Sequence, residues 1–205
     1  MGTKALLEVC DEIVGCDISA EMLAVAHEEV QGAVFLEAPA ESLPLSSWSV
    51  DLVTTFLALH WFDQAQFFRE AHRVLKPGGY FMICNHFFKS ELRDHPAFKV
   101  WADGFYAQYP QSPRNASRPA PQAGEAFGFE KIHEQWFEDE FTMNAEEIAA
   151  YISTQSNVIA RVEHGQETIE HVLNTISAGV TGFLGTARGA VQFRGAVWIL
   201  RRQST

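Results

Sequence analysis

The chain has 205 residues, 47% hydrophobic and 20% charged. It is long enough to bury a sizeable core and too apolar for a disordered chain. Its formal net charge of -11 argues against a broad attraction to nucleic acid or to an anionic membrane surface.

The three cysteines, Cys10, Cys16 and Cys84, show no C-x-x-C spacing and no histidine pattern typical of zinc, so reduced thiols and no metal are expected. Charges break the apolar run in MGTKALLEVCDE, which therefore does not read as a secretory signal. No stretch approaches the ~20 apolar residues of a membrane-spanning helix. A cytoplasmic location with no membrane partner is the resulting expectation.

In chain order, Thr3 to Val9 suits the tail of a short helix. Ile13 to Cys16, ending at Asp17, reads as a buried strand. Ser19 is a plausible N-cap for a helix with Met22, Leu23, Val25 and Ala26 on its apolar side. Ala33 to Leu36 is a second strand, followed by a loop marked by Pro39, Pro44, Ser46 and Ser47. Val50 to Leu57 is the strongest strand signal, apolar and β-branched as expected of a strand covered on both faces. Phe62 to Leu75 reads as a helix with Phe67, Phe68, Ala71, Val74 and Leu75 on one side. Pro77-Gly78-Gly79 predicts a turn, and Tyr80 to Cys84 another strand. This alternation predicts a parallel α/β sheet.

Beyond it, Phe98 to Tyr109 reads as an aromatic-rich helix and Pro110 to Gly124 as a loop or lid. A strand is expected within Phe129 to Phe141, a helix capped by Asn144 to about Ile152, a helix over Gln166 to Thr181, and a closing strand over Ala190 to Leu200. With no internal repeat, the economical organisation is one domain over residues 1–205, with 86–126 inserted over its rim.

Three segments carry chemistry. Asp17 ends a predicted parallel strand, where a carboxylate can accept hydrogen bonds from a ribose hydroxyl pair. An ordinary turn aspartate is the plainer reading. Ala40-Glu41-Ser42-Leu43-Pro44 follows the next strand, on the rim where α/β sheets bind ligands. Its backbone amides could read a base edge and its apolar pair could wall it, or Leu43 could simply anchor a surface loop. His60, Trp61 and Phe62 follow the strongest strand and put an imidazole and two aromatics on the same rim. A core aromatic pair with a hydrogen-bonded histidine would look the same.

VGCDIS, PAESLPL, SVDLVTTFLALHWFD and REAHRVLKPGGYFMI occur in this order over residues 13–83. Together they resemble class I S-adenosylmethionine-dependent methyltransferases of the methyltransferase type 11 family. TKALLEV looks like the end of that family's first helix. FTMNAEEIAAYISTQSNV and AVQFRGAVWILRR extend a weaker similarity to the small-molecule branch that includes trans-aconitate methyltransferase. The resemblance implies a Rossmann-like α/β sheet with S-adenosylmethionine as cofactor. Asp17 would take the ribose hydroxyls and Ile18 would touch the adenine, with Ala40 and Glu41 at its edge. Phe56, Ala58 and His60 would line the methionine part and the acceptor channel, His60 being the candidate base. Trp61 and Phe62 would support or close that channel. Separately, the aromatic helix with Trp101, Phe105, Tyr106 and Tyr109 could cap the acceptor pocket, or simply pack against the sheet. Pro39 stands where many relatives carry an aspartate, which removes one side-chain contact to the adenine amine.

The family's sheet has strand order 3-2-1-4-5-7-6. Its first strand and the glycine-rich loop after it are not visible before Ile13, so an N-terminally truncated, poorly binding form is expected. The implied partner is a small-molecule acceptor, with a carboxylate one option, for a monomer or weak homo-oligomer. Two alternatives stand beside this reading. One is a non-catalytic remnant that self-associates through open sheet edges. The other is a nicotinamide-dependent oxidoreductase, disfavoured because no G-x-G-x-x-G precedes Asp17.

Overall fold

Six strands and seven α-helices are laid down over the residues described in the computed structural model, 2–109 and 121–204. They open with α1 (Gly2–Leu6), β1 (Val14–Asp17), α2 (Ala20–Glu29), β2 (Val34–Glu37), β3 (Val50–Phe56) and α3 (Gln64–Val74). There follow β4 (Leu75–Leu92), α4 (Ala97–Tyr106), β5 (Phe129–Met143), α5 (Ala145–Ser153), α6 (Ser156–Glu163), α7 (Ile169–Leu184) and β6 (Gly189–Arg202).

The strands form two sheets, one of order β1-β2 and one of order β3-β4-β6-β5. β1 and β2 run parallel, with Val14 opposite Val34 and Asp17 opposite Glu37. β3 and β4 are also parallel, with Phe56 opposite Cys84. This is the expected Rossmann-like order without its first strand: among the described residues β1 and β3 do not pair with each other. Each therefore carries one open edge. The start of α1 touches both strands. A Cβ on Gly2 would stand 2.4 Å from the Phe56 ring, and one on Gly15 would stand 3.8 Å from the Thr3 hydroxyl.

Pro77-Gly78-Gly79 does not end an element. It forms a bulge inside β4, where the register jumps from Val50↔Leu75 to Leu52↔Tyr80. Gly78 has φ 77°, and a Cβ on Gly79 would meet the backbone oxygens of Lys76 and Asp51 at 2.9 and 3.0 Å. Both positions thus require glycine. β4 then continues to Leu92, beyond the expected end at Cys84.

The described residues divide into two compact units. One holds 2–85, 121–135 and 197–204; the other holds 86–109 and 136–196. β4 and β5 run from the first into the second, and β6 from the second into the first. In the first unit α3 drives the packing. Asp63 caps it, Oδ1 accepting from the Gln66 amide at 3.0 Å. Phe67, Phe68, Ala71 and Val74 recur at helical spacing and are buried. Phe67 and Phe68 each meet Phe81 edge-on with centroids 5.5 Å apart, and Phe129 completes the cluster at 5.9 Å from Phe81.

In the second unit α4, α5 and α7 surround a core that includes Phe98, Phe105, Ile148, Ile152, Ile176 and Phe193. α5 starts with a reciprocal capping box between Asn144 and Glu147. Gly179 lets α7 approach Trp101, which a Cβ would meet at 2.3 Å. The expected loop or lid over Pro110 to Gly124 falls largely on residues 110–120, outside the described residues.

Candidate active site

All the cofactor positions expected from the sequence lie in the first unit, at or just after the carboxyl ends of β1, β2 and β3. Asp17 ends β1. Its Oδ1 accepts from the Ser19 amide at 2.9 Å, which fixes the carboxylate beside the α2 cap. The other oxygen has no hydrogen-bond partner among the described residues. Ser19 is itself the N-cap, accepting from the Met22 amide at 3.2 Å. Ile18 is 73% exposed, a large apolar side chain left in solvent next to that carboxylate.

The loop after β2 is held by two charged side chains of α3. The Glu70 carboxylate accepts from the Leu43 amide at 2.7 Å and from Arg73 at 2.6 and 2.8 Å. Arg73 then donates to the carbonyls of Leu43 at 3.1 Å and Leu45 at 2.8 Å. These bonds to Arg73 hold the Glu70 carboxyl below its usual range, although partial burial opposes them. Glu41 contributes a further tie, its Oε1 accepting from the Asp63 amide at 2.7 Å. Ala40 and Glu41 are thus placed by bonds to α3 and its cap. Reading the sequence missed the Glu70–Arg73 clamp; its signal is the i,i+3 acid–base pair in REAHR, one turn apart on the helix facing the loop.

After β3 the chain turns sharply. Leu57 has φ 54°, a left-handed conformation rare for a bulky residue. Ala58 follows, and Leu59–Trp61 form a single 3-10 turn. The His60 and Trp61 rings lie 4.9 Å apart at 44°. Phe62 meets Phe67 edge-on at 4.8 Å, which ties the turn to the core. Phe56, Leu57 and Trp61 remain 37%, 49% and 48% exposed. Trp101 and Tyr106 belong to the second unit. Trp101 stacks on Phe105 at 5.9 Å, and burial pushes the Tyr106 phenol well above its usual range. Both pack with that unit's core.

The described residues contain no cluster of three metal-ligating side chains, and no helix among them is long and apolar enough to cross a membrane. The rim thus combines one fixed carboxylate, a clamped loop, a strained turn and exposed apolar side chains.

Residues 1–83 match the model of a methyltransferase domain. Over these residues the chain is similar to the methyltransferase domain of class I S-adenosylmethionine-dependent methyltransferases. It is 42% identical over 69 residues to a demethylmenaquinone methyltransferase of Chlorobaculum tepidum, covering 33% of this chain and 28% of that protein. It is 39% identical over 69 residues to a malonyl-[acyl-carrier protein] O-methyltransferase of Enterobacter lignolyticus, again over 33% of this chain and 28% of that protein. The chain thus spans less than a third of the length of these curated relatives.

Among solved structures, a proposed type II methyltransferase from Anaeromyxobacter dehalogenans superposes with a TM-score of 0.69 at 20% identity. The match covers 97% of this chain and 83% of that one. A proposed methyltransferase from Bacillus halodurans gives 0.59 at 18% identity, over 98% and 87%. These likenesses extend the methyltransferase fold, a Rossmann-like α/β sheet, over nearly the whole chain.

Proposed function

We propose that the carboxyl-end rim of the first unit binds S-adenosylmethionine and that the protein moves its methyl group to a small-molecule acceptor. The observation that carries this reading is the strained turn at Leu57, beside exposed Phe56 and Trp61, on the same rim as the fixed Asp17 carboxylate. The residues suit the group. Asp17 has one oxygen left to accept from a ribose hydroxyl pair, and exposed Ile18 offers an apolar surface for the base. The clamped backbone at Ala40 and Glu41 supplies its edge contacts in place of the side chain that Pro39 lacks. Phe56 and Ala58 line the methionine part.

The cofactor, when bound, supplies a methyl group already activated by a positive sulfur. What remains for the chain is alignment of donor and acceptor. A carboxylate acceptor has no proton to lose. A hydroxyl or amine acceptor does, and His60 is the side chain we assign to take it. Trp61 and Phe62 shield the channel. One relative is named for O-methylation of malonyl-[acyl-carrier protein], which puts carboxylates first among acceptors to screen.

The test of the base is a pH profile. With a hydroxyl or amine acceptor, His60→Ala lowers the rate by about 100-fold or more and removes its rise with pH. With a carboxylate acceptor the same variant leaves the profile unchanged. A hydroxyl acceptor turned over at an unchanged rate across pH removes His60 from the role.

The split between β1 and β3 adds a finer proposal. A rim carried on two unjoined sheets is poorly pre-organised, and unpaired strand edges leave backbone groups to be satisfied by water. The 205-residue chain by itself therefore binds the cofactor weakly. The open edges also favour a second reading, a non-catalytic form that self-associates through them. The methyltransferase reading predicts a monomeric mass or a weak, concentration-dependent dimer by light scattering. A stable oligomer that binds no cofactor supports the second.

A further inference from the structure

β6 ends at the opposite rim of the first unit, and there a buried charge has no counter-ion among the described residues. Arg202 is 6% exposed, and its Nε is buried without a hydrogen-bond partner. No carboxylate side chain among the described residues pairs with it. The neighbouring Arg201 is different, bonding Glu130 at 2.7 Å. The Arg202 guanidinium carbon lies 5.9 Å from the centre of the Trp48 ring. A buried cation without a counter-ion costs several kcal/mol, so native chains seldom leave one unpaired.

A second group lies against Gly128, whose carbonyl accepts from the amide of Gln203, the residue after Arg202, at 2.9 Å. His72 of α3 meets Phe129 edge-on at 5.6 Å, and its Nε2 lies 2.9 Å from where a Cβ on Gly128 would stand. Its imidazole makes no hydrogen bond among the described residues. Burial, and then the charge of Arg202, hold it below the usual histidine range. The other charges on the elements packed against α3 are engaged or exposed. Arg69 lies over Phe127 at 5.3 Å, Arg73 is bonded to Glu70, and Glu125 is exposed. Trp48 adds an indole 62% exposed, on a backbone with φ 60°.

We propose that Arg202, His72 and Trp48 form a binding site for a small oxyanion, a carboxylate or a phosphate, on the amino-end rim of the first unit. The guanidinium and imidazole donate to the anion, and the indole covers it. The site lies on the rim away from Asp17 and Phe56, and it does not depend on the methyltransferase reading.

The experiment follows the His72 ring and Trp48 indole signals by NMR in the full 205-residue chain, at constant ionic strength in chloride. Sodium phosphate is titrated in one arm and sodium acetate in the other. A saturable shift is expected in at least one arm, together with a rise in the His72 pKa on saturation, and the tighter arm names the oxyanion. Arg202→Gln weakens the response about tenfold or more, as loss of charge-assisted hydrogen bonds requires. If that variant does not fold, His72→Asn provides the same comparison. A response that is linear and no larger than chloride gives overturns the site. So does a saturable response that both variants retain.

Discussion

Phe81→Ala is expected to destabilise the protein by about 3–5 kcal/mol, measured as a lower urea midpoint by tryptophan fluorescence. Phe81 is fully buried, and its ring contacts Phe67, Phe68 and Phe129 at 5.5, 5.5 and 5.9 Å between centroids. Those partners come from α3 and β5, so the ring joins a helix face to two strands. Truncation removes the apolar transfer energy and leaves a cavity that three rings on different elements cannot readily collapse. The control is Tyr80, the preceding residue on the other face of β4 and 44% exposed. Tyr80→Thr is expected to cost less than about 1 kcal/mol. Equal losses at the two positions would mean that the core does not lie where the α3 periodicity puts it.

The second large effect is at the loop clamp. Glu70→Ala removes the acceptor of both Arg73 bonds and of the Leu43 amide. The expected loss is about 1–2 kcal/mol, discounted because Arg73 is 37% exposed and water screens the pair. The consequence for function is local: the Leu43 and Leu45 carbonyls lose their shared guanidinium anchor, so Ala40 and Glu41 become mobile.

The pH dependence follows from the direction of the Glu70 shift. Its pKa is lowered in the folded state, first by the hydrogen bond from Arg73. The contribution is therefore complete above the unfolded-state value of ~4.3 and is lost as pH falls through the lower folded value. Glu70→Gln flattens that part of the acid limb, which urea midpoints between about pH 5 and pH 2 would reveal. Amide exchange at Ser42 and Leu43 that is no faster in Glu70→Ala would contradict the clamp.

The strands and helices of residues 13–83 were legible because each is written in a local signal. β3 is a continuous apolar and β-branched run, α3 repeats its aromatics at helical spacing, and Ser19 precedes α2 as a cap. Long-range partners were not legible. β4 was expected to stop at Cys84 because Asn85, His86 and Lys89 interrupt the apolar run. The strand goes on because those groups find partners elsewhere, His86 on Asp139 at 3.1 Å and Lys89 on Glu138 at 3.4 Å.

The start of α3 was placed at Phe62 because the aromatic run continues through it. Asp63 is the cap, and residues 59–61 take a tighter turn. α6 escaped notice because Gln155 gives it no side-chain cap and its eight residues sit between two stronger helices. In the site, the strand-end position of Asp17 and the rim position of His60 were readable from order alone. The i,i+3 spacing of Glu70 and Arg73 is a local signal, but their bonds to the Leu43–Leu45 backbone, the Asp63–Glu41 bond and the turn at Leu57 depend on contacts across 20 or more residues or on backbone angles, which no single-sequence pattern encodes.

The most direct test of the account is an amide NMR titration of the 205-residue chain with S-adenosylmethionine. Shifts confined to Asp17, Ile18, Ala40, Glu41, Phe56, Ala58 and their neighbours are expected. They should be in fast exchange, with a dissociation constant above about 100 μM, the mark of a correctly placed but poorly pre-organised rim. Shifts elsewhere, or none in a folded chain, would contradict the site. Micromolar binding at these residues would contradict the claim that the split sheet weakens it.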